Sequence, residues 1–461
     1  MKCQNQLFIN KILSAFLAAV LLMITLASCS DSGRTDNTQS NSPDGSETDA
    51  GNAESEPHES VYIHSGDPDN PVWAEAYLRS LPERNFDGAT FFIAVADSTL
   101  FDPDGAVYLS DTIAARNRAV EEKYNISIAM EKTTADAMRE ELANAEMSGL
   151  NYANVCCIPM NTVGDFVLED RLMNLRSLPA LDMNAPYFNS SSVTALSAGY
   201  KTYGIAGEAM TAVTDASAVF LNKKLLESLG GDDIFDLAEG GGLTWDALYG
   251  YAALAAGLEG VVPSASMGGS TAEAVLTSVG GQIVSSGALK VPTVGFTPEL
   301  LEMAASYLRP MINSAAAAGI SDSVGSAFSG GKVLFTVGKL RDVTSLATGS
   351  LEFGVLPMPK ASAESEYRSF VGGDALVMTV PKGNTDAEMV SLILSAINAA
   401  SYGYVTEKYV DYLHVTVLSD SRSADMLEII ADSLVYDFSV AFSAHHPNIA
   451  AGTTELIRNV M

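Results

Sequence analysis

Among the side chains able to do chemistry, Cys29 has the most telling neighbours. Lys2 and Lys11 precede 17 uncharged, mostly apolar residues from Ile12 to Ser28, and the stretch closes as Leu26-Ala27-Ser28-Cys29. A charged start, an apolar run and small residues at the cut point are the parts of a secretion signal. A cysteine directly after the cut is a thiol placed to carry lipid. Residues 1–28 are therefore expected to be removed, leaving Cys29 as a lipid-bearing terminus on the outer face of the cell membrane. The alternative is an uncleaved span, because the run approaches the ~20 residues that cross a bilayer. Both readings put the remaining residues outside the cytoplasm.

The other reactive side chains lack the partners that catalysis needs. His58, His64, His414, His445 and His446 show no HExxH or comparable spacing, so no metal site is expected. Gly330-Gly331-Lys332-Val333 looks at first like a phosphate loop. Ser326, however, stands where the first glycine belongs, and Val333 where the Mg²⁺-binding hydroxyl belongs. No G-x-S-x-G elbow occurs. Cys156 and Cys157 are adjacent, and a bridge between them would be strained, so they read as two small apolar residues inside a strand. No catalytic residue, cofactor or metal is expected. With 56 acidic residues a carboxylate pair can meet anywhere in space, which keeps a surface-attached hydrolase as the alternative from another class.

The elements that position such residues follow from composition and pattern. At 461 residues, 47% hydrophobic and 18% charged, the chain is long enough for more than one core. Its net charge of −30 becomes −32 once Lys2 and Lys11 leave with the signal. A surface so acidic repels nucleic-acid phosphate and anionic headgroups. Residues 29–71 are dominated by Ser, Asp, Asn, Gly and Thr, and they read as a flexible acidic tether behind the lipid. Buried strands are then expected at Thr90–Ala96, Ile126–Met130 and Asn154–Pro159, with helices Asp111–Tyr124 and Ala135–Met147 between them. That alternation builds a parallel α/β sheet. A second set of strands follows at Ala218–Asn222, Lys332–Val337, Phe353–Pro357 and Ala375–Pro381. Thr244 should cap a helix with Trp245, Leu248, Ala252 and Ala255 inward, and Thr385…Glu388 should form a capping box. Met426, Leu427, Ile430 and Leu434 mark a last amphipathic helix. So many units exceed one compact core, and two lobes are expected.

In order along the chain, these segments resemble the bacterial extracellular solute-binding proteins of the sugar-importing type, the soluble receptors of ABC importers. The carriers are TFFIAVADS (90–98), RNRAVEEKYNISI (116–128), YGIAGEAM (203–210), FLNKKLLESLG (220–230), LTWDAL (243–248), GKVLFTVG (331–338), FGVLPMPK (353–360), FVGGDALVMTVPK (370–382) and SADMLEIIADSLVYD (423–437). The resemblance implies an α/β, two-lobed periplasmic-binding-protein-like fold of class II, with lobes joined by crossing hinge strands. Lobe 1 would be residues 72–209 with 371–437, and lobe 2 residues 210–370 with 438–461. A small solute, taken to be a carbohydrate, would bind between the lobes and pass to ABC permease subunits. The resemblance implies a monomer, without cofactor, metal or nucleic acid. A non-sugar solute or a sensor-kinase partner is the second reading.

Loops at the carboxyl ends of parallel strands face such a crevice. Asp97 and Ser98 after the first strand, and Asn161 and Thr162 after the third, are thus expected ligand contacts. So are Tyr203 and Glu208 at the first crossing, Arg341 after the strand ending near Gly338, and Gly372, Gly373 and Asp374 at the second crossing. Tyr187, Tyr367 and Phe370 are further candidate platforms for a sugar ring. Asp97 and Asn161 have the plainer alternative of capping helices, Glu208 that of pairing with a lysine, and Trp245 reads as core. Where the resemblance implies an aromatic just past the glycine of the 331–338 motif, Lys339-Leu340 follows.

Overall fold

The computed structural model describes residues 72–443 except 97–108, 211, 232, 288–289, 348–350 and 419–420. Cys29, Asp97 and Ser98, with the signal and the whole tether, lie outside the described residues. The first part of the chain supplies strands β1 (Ala89–Ala96), β2 (Ile126–Thr133) and β3 (Val155–Pro159). The middle supplies β4 (Ser217–Asn222), β5 (Val262–Ser266), β6 (Val333–Lys339) and β7 (Phe353–Leu356). The last part supplies β8 (Ser369–Phe370), β9 (Leu376–Thr379) and β10 (Leu434–Val435).

Two four-stranded sheets result. In the first, with order β9-β3-β1-β2, β1 runs parallel to both neighbours and β9 antiparallel to β3. In the second, with order β7-β4-β6-β5, β6 is parallel to β5 and antiparallel to β4. Helices cover both faces of the first sheet at its inner strands, which is why β1 and β3 read as apolar runs while edge strand β2 does not. Ile93, Val95 and Cys157 pack under the Ala387–Ala399 helix, while Ala94, Cys156 and Ile158 pack on Met138, Leu142 and Phe166. Alternation along β3 therefore sends the two cysteines to opposite faces. Both thiols are free and buried, and burial pushes Cys157 up to about 12.

Local chemistry fixes the helix starts. Thr244 accepts the Ala247 N–H at 3.2 Å, and Trp245, Leu248, Ala252 and Ala255 are buried as their spacing requires. Trp245 stacks on Tyr249 and Tyr307, and its indole N–H donates to Ser278 at 2.9 Å. The expected capping box of Thr385 and Glu388 is replaced by a simple cap: Asp386, not Thr385, accepts the Met389 N–H, at 3.0 Å. That helix is buried all round from Met389 to Ala399, and its Asn398 lies so near the chain at Gly207 that a Cβ there would sit 2.3 Å from the amide oxygen. Only glycine fits.

Three segments cross between the sheets side by side. Ala216, leading into β4, bridges antiparallel to Val371, and the Gly372 N–H donates to the Asp215 carbonyl at 3.1 Å. β8 pairs in parallel with β10, and Val371 N–H donates to Val435 O at 3.0 Å. Two expected lobe assignments, those of residues 421–432 and 438–441, differ in the structure. Helix Ser421–Asp432 packs on the second sheet, not the first: Val355 N–H donates to Ser423 Oγ, Arg422 pairs with Asp236, and Leu427 and Ile430 share a cluster with Phe353 and Val355. The Phe438–Ala441 turn returns to the first unit, where a Cβ on Gly164 would lie 3.2 Å from the Ala441 carbonyl. An apolar stripe says that a helix has a face to bury; it does not say against which sheet.

The Asp386 cap is exposed to a direct check. Replacing Asp386 by Ala should lower unfolding free energy by about 1 kcal/mol, read as a lower urea midpoint with unchanged slope. A variant as stable as the parent would remove the cap from the account.

Candidate ligand-binding site

The carboxyl ends of β3, β5 and β6 converge beside the crossings. After β3 the chain makes one tight turn, Met160–Thr162, pinned to the second crossing: Met160 N–H donates to Ala375 O at 2.8 Å and Asn161 N–H to Gly373 O at 3.0 Å. After β6 comes a second such turn, Leu340–Asp342, pinned to the first crossing through Leu340 N–H and Ala216 O at 2.8 Å. Asp342 accepts the Lys339 N–H at 2.9 Å and so closes that turn.

Four charges meet at this point. The Lys339 ammonium lies 2.6 Å from Asp374 and 3.8 Å from Asp215, and Arg341 pairs with Asp215. Asp215 is only 4% exposed, and burial raises its carboxyl above the ordinary value despite the pull of Arg341 and Lys339. The hydrogen bond from Lys339 holds Asp374 below its ordinary value. Two glycines leave room for close neighbours here. A Cβ on Gly372 would sit 2.8 Å from the Lys339 Nζ, and one on Gly373 would sit 3.0 Å from the Asn161 Cβ.

A pocket of about 360 Å³ opens next to the charges, near the lower end of the ~300–1,000 Å³ usual for small-ligand sites. Its walls are the Met267–Thr271 loop after β5, Ser217 at the start of β4, and Val337 to Lys339 with Asp342 after β6. Gly338 lets the Met267 side chain form the floor, since a Cβ there would lie 2.4 Å from Cε.

The structure brings together Asn161, Arg341, Gly372, Gly373 and Asp374. Thr162 is adjacent, but its hydroxyl is spent on the Pro159 carbonyl at 2.7 Å. Of the expected aromatic platforms, Tyr187, Tyr203 and Phe370 are core residues and Tyr367 is half-buried. Tyr203 is 8% exposed inside the first unit, Tyr187 packs edge-on to Tyr77, Tyr367 donates to Ala238 O, and Phe370 is fully enclosed. Sequence reading missed Lys339, Asp215, Ser217 and the Gly268-Gly269-Ser270-Thr271 turn. The available signal was that small polar run, standing between a short strand and a helix.

Glu208 occupies the first crossing, but its partner is neither lysine nor open cleft: Thr406 donates to its carboxylate at 2.9 Å. Burial, reinforced by Asp432 and Glu407, pushes it up to about 7. The folded protein thus holds a proton that the unfolded chain releases near 4.5. Stability is full below that value and falls as pH climbs through about 7. Glu208→Gln keeps an acceptor for Thr406 and removes the titration. It should therefore lose less melting temperature than the parent between those pH values, in a calorimetric series. Parallel curves would contradict the assignment.

No protein-family model and no curated protein sequence matches the chain. Solved structures do. The chain is similar to the cyclic alpha-maltosyl-1,6-maltose binding protein of Arthrobacter globiformis, with 17% identity and TM-score 0.53 over 81% of this chain and 97% of that one. It is similar also to the galacto-N-biose-/lacto-N-biose I-binding protein of the ABC transporter of Bifidobacterium longum, with 15% identity and TM-score 0.53 over 81% and 94%. A family 1 extracellular solute-binding protein of Alicyclobacillus acidocaldarius matches at 12% identity and TM-score 0.51, over 81% and 98%. At such identities the shared property is the fold, and the crossings, sheet orders and strand-end cleft agree with it. The chain has the two-lobed α/β fold of the extracellular solute-binding proteins.

Proposed function

We propose that this protein is a lipid-anchored extracellular receptor that captures a small carbohydrate between its lobes and delivers it to the permease subunits of an ABC importer. One observation carries the reading. Polar groups from both units (Asn161 and Asp374 from the first, Lys339 and Arg341 from the second) meet at a seam where the three crossings are the shared backbone. A solute lodged there contacts both lobes only when they are shut, so binding shifts the population toward the closed form. Cys29 supplies the tether, and the closed form is the one the permease recognises. The solved structures named above, described as sugar-binding proteins or as solute receptors, support carbohydrate as the cargo. The buried thiols and the ion-paired acids at the seam offer no nucleophile with an adjacent base, which speaks against the hydrolase alternative.

A thermal-shift screen of the mature protein against a carbohydrate library tests this. A ligand at about 100 times its dissociation constant should stabilise by ~2.7 kcal/mol, with the ligand recovered intact. Gly269 has open space where a Cβ would stand, so Gly269→Val should keep the parent's melting temperature and lose the ligand shift. Conversion of any library member to product, or a full ligand shift in Gly269→Val, would overturn the reading or its placement.

A further inference from the structure

We propose that the cargo carries an anionic oxygen group, a carboxylate or a phosphate, and that this group docks in the pocket against Lys339, Ser217 and the first turn of the Thr271–Ser278 helix. The inference rests on the receptor reading and narrows its ligand to acidic carbohydrates. Lys339 brings a positive charge to the pocket wall. Ser217 is 4% exposed and lines the same pocket, and its hydroxyl makes no hydrogen bond among the described residues. The hydroxyl opens onto the pocket, where its donor is free for a ligand acceptor. The eight-residue helix begins at the pocket, and Ser270 at its N-cap makes no side-chain capping bond. First-turn N–H groups without a cap, at the positive end of the helix dipole, suit an anion. Gly268 and Gly269 have nothing within 4 Å of where a Cβ would stand, so a ligand can approach the backbone closely.

Four acids stand near the site, and a cargo anion competes with them for Lys339. Asp342 is engaged by the Lys339 N–H, and Glu273 is buried and not part of the lining. Asp215 is already matched by Arg341. Asp374 is a carboxylate that now occupies the Lys339 ammonium at 2.6 Å, with its side chain 58% exposed. The Lys339 side chain is 22% exposed, so a ligand carboxylate or phosphate has to displace a half-buried pair while Asp374 returns to water. The described lining holds no aromatic ring, and recognition there must come from charge and hydrogen bonds instead of stacking.

Calorimetric titration of the mature protein decides the point, using D-glucuronate, D-galacturonate and glucose 6-phosphate beside glucose, galactose and inorganic phosphate. The expected result is that a uronate or the phosphate ester binds, its neutral parent binds at least about tenfold more weakly, and affinity falls with added salt. Which acid binds separates carboxylate from phosphate. Lys339→Met should weaken the acid about ten- to hundredfold, Lys339→Arg should retain most of the affinity, and Ser217→Ala should cost less than Lys339→Met. A circular-dichroism melt confirms that each variant folds. Neutral sugars binding as tightly as acids, or Lys339→Met and Lys339→Arg behaving alike, would overturn the anion site and leave the receptor standing. Failure of every sugar, neutral and acidic, would remove both.

Discussion

Backbone hydrogen bonds among three crossing segments are the constraint on which the rest of this molecule depends. Ala216 pairs with Val371, and Val371 with Val435, so three of the chain's passages between its two sheets share one narrow ribbon, while a fourth runs through Val405 to Leu418. A ribbon held by main-chain bonds can bend without exchanging partners, which suits a hinge. It also dictates where polar side chains can meet. Turns at the ends of β3 and β6 are each tied to a crossing, and this brings Asn161, Lys339, Arg341 and Asp374 to one place from distant parts of the sequence.

Charge near the ribbon is arranged with some care in a chain carrying a net −30. Asp215 is buried and matched by Arg341 and Lys339. Glu208 and Asp432, also near the crossings, have no matching cation among the described residues, and burial raises each to about 7. The segment from Val405 to Leu418 adds an apolar contribution. Val405, Tyr409 and Leu413 share one cluster with Leu109 and Ile113 of the first unit and with Leu340 and Val343 of the second. Hinge geometry and side-chain packing thus both act on the relation between the lobes.

Much of the frame was legible in the sequence because both faces of each sheet are covered. Thr90–Ala96 and Lys332–Val337 are apolar enough to read as strands without any pairing information, and Thr244 announces its helix by the residues that follow it. β5 was not legible: Val-Pro-Ser-Ala-Ser has neither an apolar run nor a clean alternation, and its place beside β6 is set by tertiary pairing. The lobe to which residues 421–432 belong was not legible either, since amphipathicity is blind to the identity of the partner. At the candidate site, Asn161 and Arg341, expected from strand ends, and Asp374, expected at the second crossing, lie close together. The expectation failed for Tyr187, Tyr203, Tyr367 and Phe370, because aromatic side chains serve cores and clefts alike and only burial tells them apart. Glu208 was placed in the right segment, yet Thr406, some 200 residues away in the chain, takes its carboxylate.

Small-angle X-ray scattering of the mature protein, with and without a saturating ligand, tests most directly whether the two units close about the ribbon. The account predicts a smaller radius of gyration with ligand bound, and a scattering profile that shifts between two shapes as ligand is added. Identical profiles at full occupancy would show a rigid body, and the hinge would have no part in binding.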